Sequence, residues 1–237
     1  MEALDRARES FPELEKEKLS YAGRLDPLAQ GVMLVLSGEA NKNRDVHLNH
    51  DKTYYFDVLF GLKSDSFDPL GIVKKGRLPK KNLEESLRKI TIEWEGERTE
   101  VYPPYSSKTV DGKPLFYWAR QGIPVSLPSR KIFIYEFNFL QTLRVPLPSV
   151  VKVAKDKIRR VGGDFRQSEV LESWSVIENS YPEGATLPLV RFKIKASTGT
   201  YVRSLADRLG RECDSSAMAF HIVRTDVGPF GFEHTLL

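Results

Sequence analysis

Cysteine is almost absent from this sequence: Cys213 is the only one in 237 residues. A lone thiol cannot build an intramolecular disulfide framework, and it fits a reducing compartment. Histidine is nearly as scarce, with four in the chain. His47 and His50 form one H-x-x-H with no second ligating cluster, so a polar loop accounts for them better than a metal site. No apolar run approaches the ~18 residues of a membrane span. The opening MEALDRARES is charged and lacks the apolar segment of a secretory signal. Neither a glycine-rich phosphate loop nor a G-x-S-x-G elbow occurs. These gaps argue against disulfide scaffolds, helical membrane proteins, P-loop or dinucleotide enzymes and elbow-type hydrolases.

What is present is the composition of a folded domain. Hydrophobic residues make up 41% and charged residues 29%, too apolar for a disordered chain. A chain of this length buries roughly 70% of its surface on folding. The net charge of +4 is compatible with a nucleic-acid partner without demonstrating one. The first twenty residues read as helical, with a capping-box spacing from Ser10 to Glu13 and Pro12 in the first turn. Strands are expected over 31–37, 53–60, 131–140 and 189–196, and helices over 80–90, 115–121 and from Val202. Between them 64–71 reads as a loop. Residues 145–185 differ in texture. Their helix SVVKVAKDKIRRVGG carries Lys152, Lys155, Lys157, Arg159 and Arg160 against Asp156. Val150, Val153, Ala154 and Ile158 are expected to face inward there, with Lys152, Lys155 and Arg159 on one outer face. A solvated face and an RNA-contacting face both fit that pattern. There is no βαβ repeat, and the class is α+β.

Four stretches have unusual chemistry. Asp26 sits in YAGRLDPLAQG, ahead of a proline and bracketed by glycines. DKTYYFDVLFG leads a lysine, Lys52, into a strand. YPPYSSKTVDGKPLFYWARQG and KASTGTYVRSLADRLG complete the set. Arg203, near a helix start, opposes the helix dipole, which hints at a nearby carboxylate.

Together these stretches resemble the bacterial tRNA pseudouridine synthase B (TruB-like) family. GRLDPLAQG matches the second half of its G-H-x-G-x-L-D-P-x-A-x-G motif, and Lys52-Thr53-Tyr54 its K-x-Y strand. Residues 64–71 match its T-D-x-x-D-x-x-G loop with a slight offset. Residues 103–122 match its P-P-x-x-S-x-x-K block, 197–203 its S-x-G-T-Y-I-R helix start, and 223–230 its R-R-T-x-V-G-P-F ending. The blocks appear in order. The resemblance implies a mixed, mainly antiparallel sheet flanked by helices, and the isomerisation of a tRNA T-loop uridine, conventionally position 55. Asp26 would be the catalytic aspartate, Tyr54 would stack on the flipped uracil, and Arg203 would pair with Asp26. Tyr21, Arg24, Lys52, Lys108 and Tyr201 would contact RNA, joined by Lys152, Lys155 and Arg159 of the basic segment. It further implies a cytoplasmic monomer that needs no cofactor and no metal, with the T-arm of tRNA as partner.

The chain departs from the family in three ways. It starts after the usual first strand and D-K-P-x-G-x-T-S turn. Tyr21 stands where the family has a histidine that supports the T-loop, and Arg24 where a small residue is usual. Its expected organisation is one catalytic domain over 1–237, with a basic insertion at about 145–185 and no C-terminal PUA domain. Tyr21 and Arg24 leave room for a ribosomal RNA target, and the missing strand for a tRNA-binding or folding module without catalysis.

Overall fold

The computed structural model describes residues 2–234. In chain order the first elements are α1 (Glu2–Ser10), β1 (Leu19–Ala22), β2 (Gln30–Gly31), β3 (Leu34–Ser37), α2 (Arg44–Leu48), β4 (Lys52–Phe60), β5 (Leu62–Ser64) and β6 (Val73–Lys75). Then come α3 (Leu83–Glu93), β7 (Gly96–Val101), β8 (Thr109–Val110), β9 (Lys113–Pro114), α4 (Leu115–Gln121) and β10 (Ser129–Pro146). The chain continues with α5 (Leu147–Arg160), α6 (Gln167–Asn179), β11 (Thr186–Ala196), α7 (Val202–Glu212) and β12 (Ala217–Val227). The central sheet runs β2-β12-β4-β11-β10-β7. Only the short β2–β12 pair is parallel, so the sheet is mixed and mainly antiparallel. No helix among the described residues is long and apolar enough to cross a membrane.

Alternation along β4 builds two cores at once. Phe56, Val58 and Phe60 face α3 and α7 together with Phe192, Ile194 and Phe137. The Phe56 and Phe192 rings stack with centroids 5.4 Å apart. Leu59 points the other way, into a core with Leu187, Met218 and the hairpin of α5 and α6. The hairpin is held by Val150, Val151, Ala154, Ile158, Val170, Trp174 and Ile177. Burying such side chains contributes about 1.5–3 kcal/mol each.

Five local expectations need correction. The capping box at Ser10 does not form: Ser10 ends α1, and a single 3-10 turn over Pro12–Leu14 follows without a side-chain cap. Residues 19–22 are strand because β1 pairs with β3 over Leu19–Ser37 to Ala22–Leu34. The strand expected over 31–37 is split, because Gly31 pairs with Arg224 of β12 while Leu34 turns to β1. On α5, Val153 is 42% exposed and Val151 takes the inward place. The strand expected over 131–140 continues to Pro146, with bulges between Ile134 and Glu136 and between Phe139 and Gln141.

Candidate active site

One guanidinium gathers the stretches singled out in the sequence. Arg203 is the second residue of α7 and is only 4% exposed. Its Nε and Nη2 each donate to one oxygen of the Asp26 carboxylate, both at 2.7 Å. Nη1 donates to the Ser66 carbonyl at 2.9 Å, and Nη2 also reaches the Tyr105 carbonyl at 3.1 Å. A two-pronged Arg–carboxylate pair fixes orientation as well as charge. Burial alone would push the Arg203 pKa down, but Asp26 and Asp68 outweigh it and raise the pKa. The Asp26 side chain remains 34% exposed, so the carboxylate is tethered from behind and open in front.

The loop carrying Asp26 is pinned at both ends. The Ala29 N–H donates to the Asp26 carbonyl at 2.9 Å, closing a turn around Pro27. Arg224, 2% exposed on β12, donates from Nε to the Val32 carbonyl at 2.7 Å and from Nη2 to the Gly23 carbonyl at 3.0 Å. Gly31 has φ +110, and a Cβ there would collide with the Arg224 carbonyl. Only glycine allows β2 to lie that close to β12.

Tyr54 occupies β4 between Ile194 and Arg224. Its ring packs partly against the core below α7. Burial raises its phenol pKa, opposed by Arg224 with which it hydrogen-bonds, and the Asp26 charge adds to the rise. The phenol therefore stays protonated, within reach of the Asp26 field.

A second carboxylate stands behind the first. Asp68 is 5% exposed. Its Oδ1 accepts from the Ser66 hydroxyl at 2.6 Å and from the Leu70 N–H at 3.0 Å, and its Oδ2 lies 3.8 Å from Arg203. Burial is the main cause that pushes its pKa up to about 6, against the pull of Arg203. Its loop is braced by Trp174 of α6, whose indole N–H donates to the Pro69 carbonyl at 3.0 Å.

The remaining expected contact residues separate. Tyr201 lies against Tyr102 edge-on, with centroids 5.6 Å apart, and exposed Lys108 stands 5.5 Å over the Tyr102 ring. Exposed Arg24 donates to the Tyr21 hydroxyl at 2.7 Å. Lys52 is set apart by its burial. It is 5% exposed, and its ammonium donates to the Leu48 and His50 carbonyls at 2.7 and 2.5 Å. Burial, then Arg224, lowers its pKa to about 8. Those two bonds clamp the turn that leads into β4. Lys155 has its side chain 17% exposed and its ammonium 2.8 Å from Glu178 of α6. Lys152 and Arg159 stay exposed, but both pair with Asp156, at 2.9 and 3.2 Å. Among the described residues no cluster of His, Cys, Asp or Glu is fit to hold a metal.

Asp68 and Arg224 were not picked out as site residues in the sequence. Each leaves a trace there: Asp68 sits in SDSFDPLG, and Arg224 is a charge that follows the largely apolar AMAFHIV.

The chain is similar to known proteins of one family. Residues 12–159 match the family model described as TruB family pseudouridylate synthase (N terminal domain). The chain is 30% identical over 236 residues to the tRNA pseudouridine synthase B of Bordetella avium, covering 99% of this chain and 78% of that one. It is 29% identical to the protein of the same name from Caldanaerobacter subterraneus, over 92% of this chain and 61% of that one. Among solved structures it is similar in fold to a Cbf5-Nop10-Gar1 complex, with a TM-score of 0.56 and 19% identity over 100% of this chain and 47% of that one. The chain belongs to the TruB family of pseudouridylate synthases, isomerases that act on uridine in RNA.

Proposed function

We propose that this protein converts a uridine of tRNA to pseudouridine, with the T-loop uridine as target. The observation that carries the reading is the Asp26–Arg203 pair: two hydrogen bonds of 2.7 Å behind a carboxylate that keeps an open face. The tRNA part rests on the names of the relatives. The reaction breaks the N1–C1′ bond and forms a C5–C1′ bond; N1 gains a proton and C5 loses one. Nothing is oxidised or reduced, so the chemistry itself consumes no co-reactant.

The residues divide the work by their environments. Asp26 acts as the nucleophile, and the two hydrogen bonds from Arg203 aim its carboxylate while the bound base excludes water. The target base leaves its stack before it can reach Asp26 and needs a flat surface to rest on. Tyr54 offers that surface, and its protonated hydroxyl stands ready to exchange a proton with the base. Tyr102, Tyr201 and Lys108 extend an aromatic and basic rim suited to unstacked RNA.

The test is to map pseudouridine in unmodified tRNA transcripts, and in a ribosomal RNA transcript, after incubation with the purified protein. Modification of the T-loop uridine alone supports the reading. Modification only of ribosomal RNA moves the substrate, and none in either refutes the activity.

A further inference from the structure

Four cations, Lys52 of β4, Arg130 of β10, Arg203 of α7 and Arg224 of β12, act on one neighbourhood. Lys52 feels Arg224 and Arg130; Tyr201 feels Arg203 and Arg130 together with Asp26. Three of the four have their donors committed. Lys52 serves the Leu48 and His50 carbonyls, Arg203 serves Asp26, Ser66 and Tyr105, and Arg224 serves Val32 and Gly23.

Arg130 is different. It is the second residue of β10, paired across the sheet with Glu100, and half-buried. Its side chain makes no hydrogen bond and no ion pair among the described residues, and its Nε is buried without an acceptor. Leaving such a donor unpaired costs about 1–3 kcal/mol, and more for a charged group. The guanidinium also has a seat made for it. It lies flat against Gly199, so that a Cβ at that position would overlap its Nη1, Cζ and Nε; Gly199 has φ +82. Gly199 stands two residues before Tyr201, in the turn that enters α7 beside the Asp26–Arg203 pair.

A planar, permanently charged fork with unpaired donors, held among other cations, is matched by an oxyanion with several oxygens. A flipped nucleotide brings one on each side, because the strand carries a phosphodiester both before and after it. We propose that Arg130, seated on Gly199, grips a backbone phosphate next to the target uridine and so positions the flipped nucleotide over Asp26. This rests on the reading of Asp26 as the reaction centre for an RNA uridine. The phosphate would also offset the crowding of positive charge that helps lower Lys52.

The test is a cycle of protein and RNA changes. T-arm hairpin transcripts are made with a single neutral methylphosphonate at each phosphate flanking the target. Their affinities for wild type, Arg130→Gln and Arg130→Lys are measured over a range of salt. For wild type, one methylphosphonate position should cost about tenfold in affinity. Arg130→Gln should bind the all-phosphate hairpin about tenfold more weakly, with a salt slope lower by about one phosphate contact, and lose nothing further at that position. Arg130→Lys, which keeps the charge without the fork, should fall between. The proposal is overturned if Arg130→Gln keeps the wild-type salt slope, or if the full penalty persists at the same phosphate in that variant. Melting temperatures exclude unfolding as the cause, and if the Gln variant does not fold, the Lys variant carries the same cycle. Pseudouridine formation by wild type on the unmodified hairpin separates the two readings. Turnover with additive penalties sinks the phosphate grip alone; coupled penalties without turnover sink the reaction and leave the grip.

Discussion

The two ends of the central sheet treat positive charge in opposite ways. On the α5–α6 hairpin, Lys152 and Arg159 stand in solvent and share Asp156 with each other, while an apolar core beneath supplies the cohesion. Around Asp26, the cations Lys52, Arg203 and Arg224 are buried to within 5% exposure, and every one is tied to protein oxygens. The hairpin has the densest basic run in the sequence, and three of its cations, Lys152, Lys155 and Arg159, pair with Asp156 or Glu178, where exposed pairs contribute about 0–1 kcal/mol. The other end spends buried charge to fix one carboxylate in place. Density of charge therefore marks a surface here, and burial of charge marks the site.

Replacing Asp26 with Asn tests that contrast at its strongest point. The amide fills the same space without the nucleophilic charge, so pseudouridine formation should fall by about four orders of magnitude or more while the fold survives. Product mapping with circular dichroism reads both, and turnover near the wild-type rate would remove Asp26 from the chemistry. Ile158→Ala probes the opposite region. It empties part of the hairpin core and should cost about 2–5 kcal/mol in denaturant unfolding. Turnover per folded molecule should stay near wild type; a parallel loss would show that the two regions are not separable. Asp68→Asn sharpens the comparison through pH. The folded pKa of about 6 lies above the unfolded value of about 3.9, so the native state holds that proton more tightly. Its contribution is full below about pH 4 and is lost as the pH rises through about 6, an effect of about 2–3 kcal/mol. The Asn variant should lack that decline when stability is followed from pH 4 to 7. The smallest effect is expected for Lys152→Gln with Arg159→Gln. Stability should move by less than about 1 kcal/mol, and the salt slope of tRNA binding should not change. A flatter slope would make the hairpin an RNA-contacting surface after all.

Much of the arrangement could be read from the chain. The β-formers of TYYFDVLF and the alternation of LVRFKIKA show in β4 and β11, and Leu83, Leu87 and Ile90 form the buried face of α3. The Gly122 stop of α4 is in the left-handed region, with φ +66. Asp26, Tyr54 and Arg203 were legible through motifs, and the opposition of Arg203 to its helix dipole pointed to a carboxylate partner. What stayed hidden depends on long-range register. Lys52 reads as an exposed strand start until α2 folds its carbonyls over the ammonium. Lys155 reads as one of a row until α6 brings Glu178 alongside. The seat of Arg130 needs Gly199, which lies far along the chain and gives no local sign of what it accommodates.

The Arg203 guanidinium has one further consequence, for the order in which the molecule assembles. Its acceptors Asp26, Ser66 and Tyr105 lie 177, 137 and 98 residues away in sequence. Closing such loops costs conformational entropy before any contact repays it, and contacts of this separation slow folding. Helices such as α3, or the α5–α6 hairpin, can gain structure from nearby residues; this knot can be tied only when both ends of the chain have arrived. Formation of the Asp26–Arg203 pair is therefore expected late, so that recovery of activity would report completed folding in a way that helical signal does not. During refolding, recovery of turnover should lag behind recovery of helix.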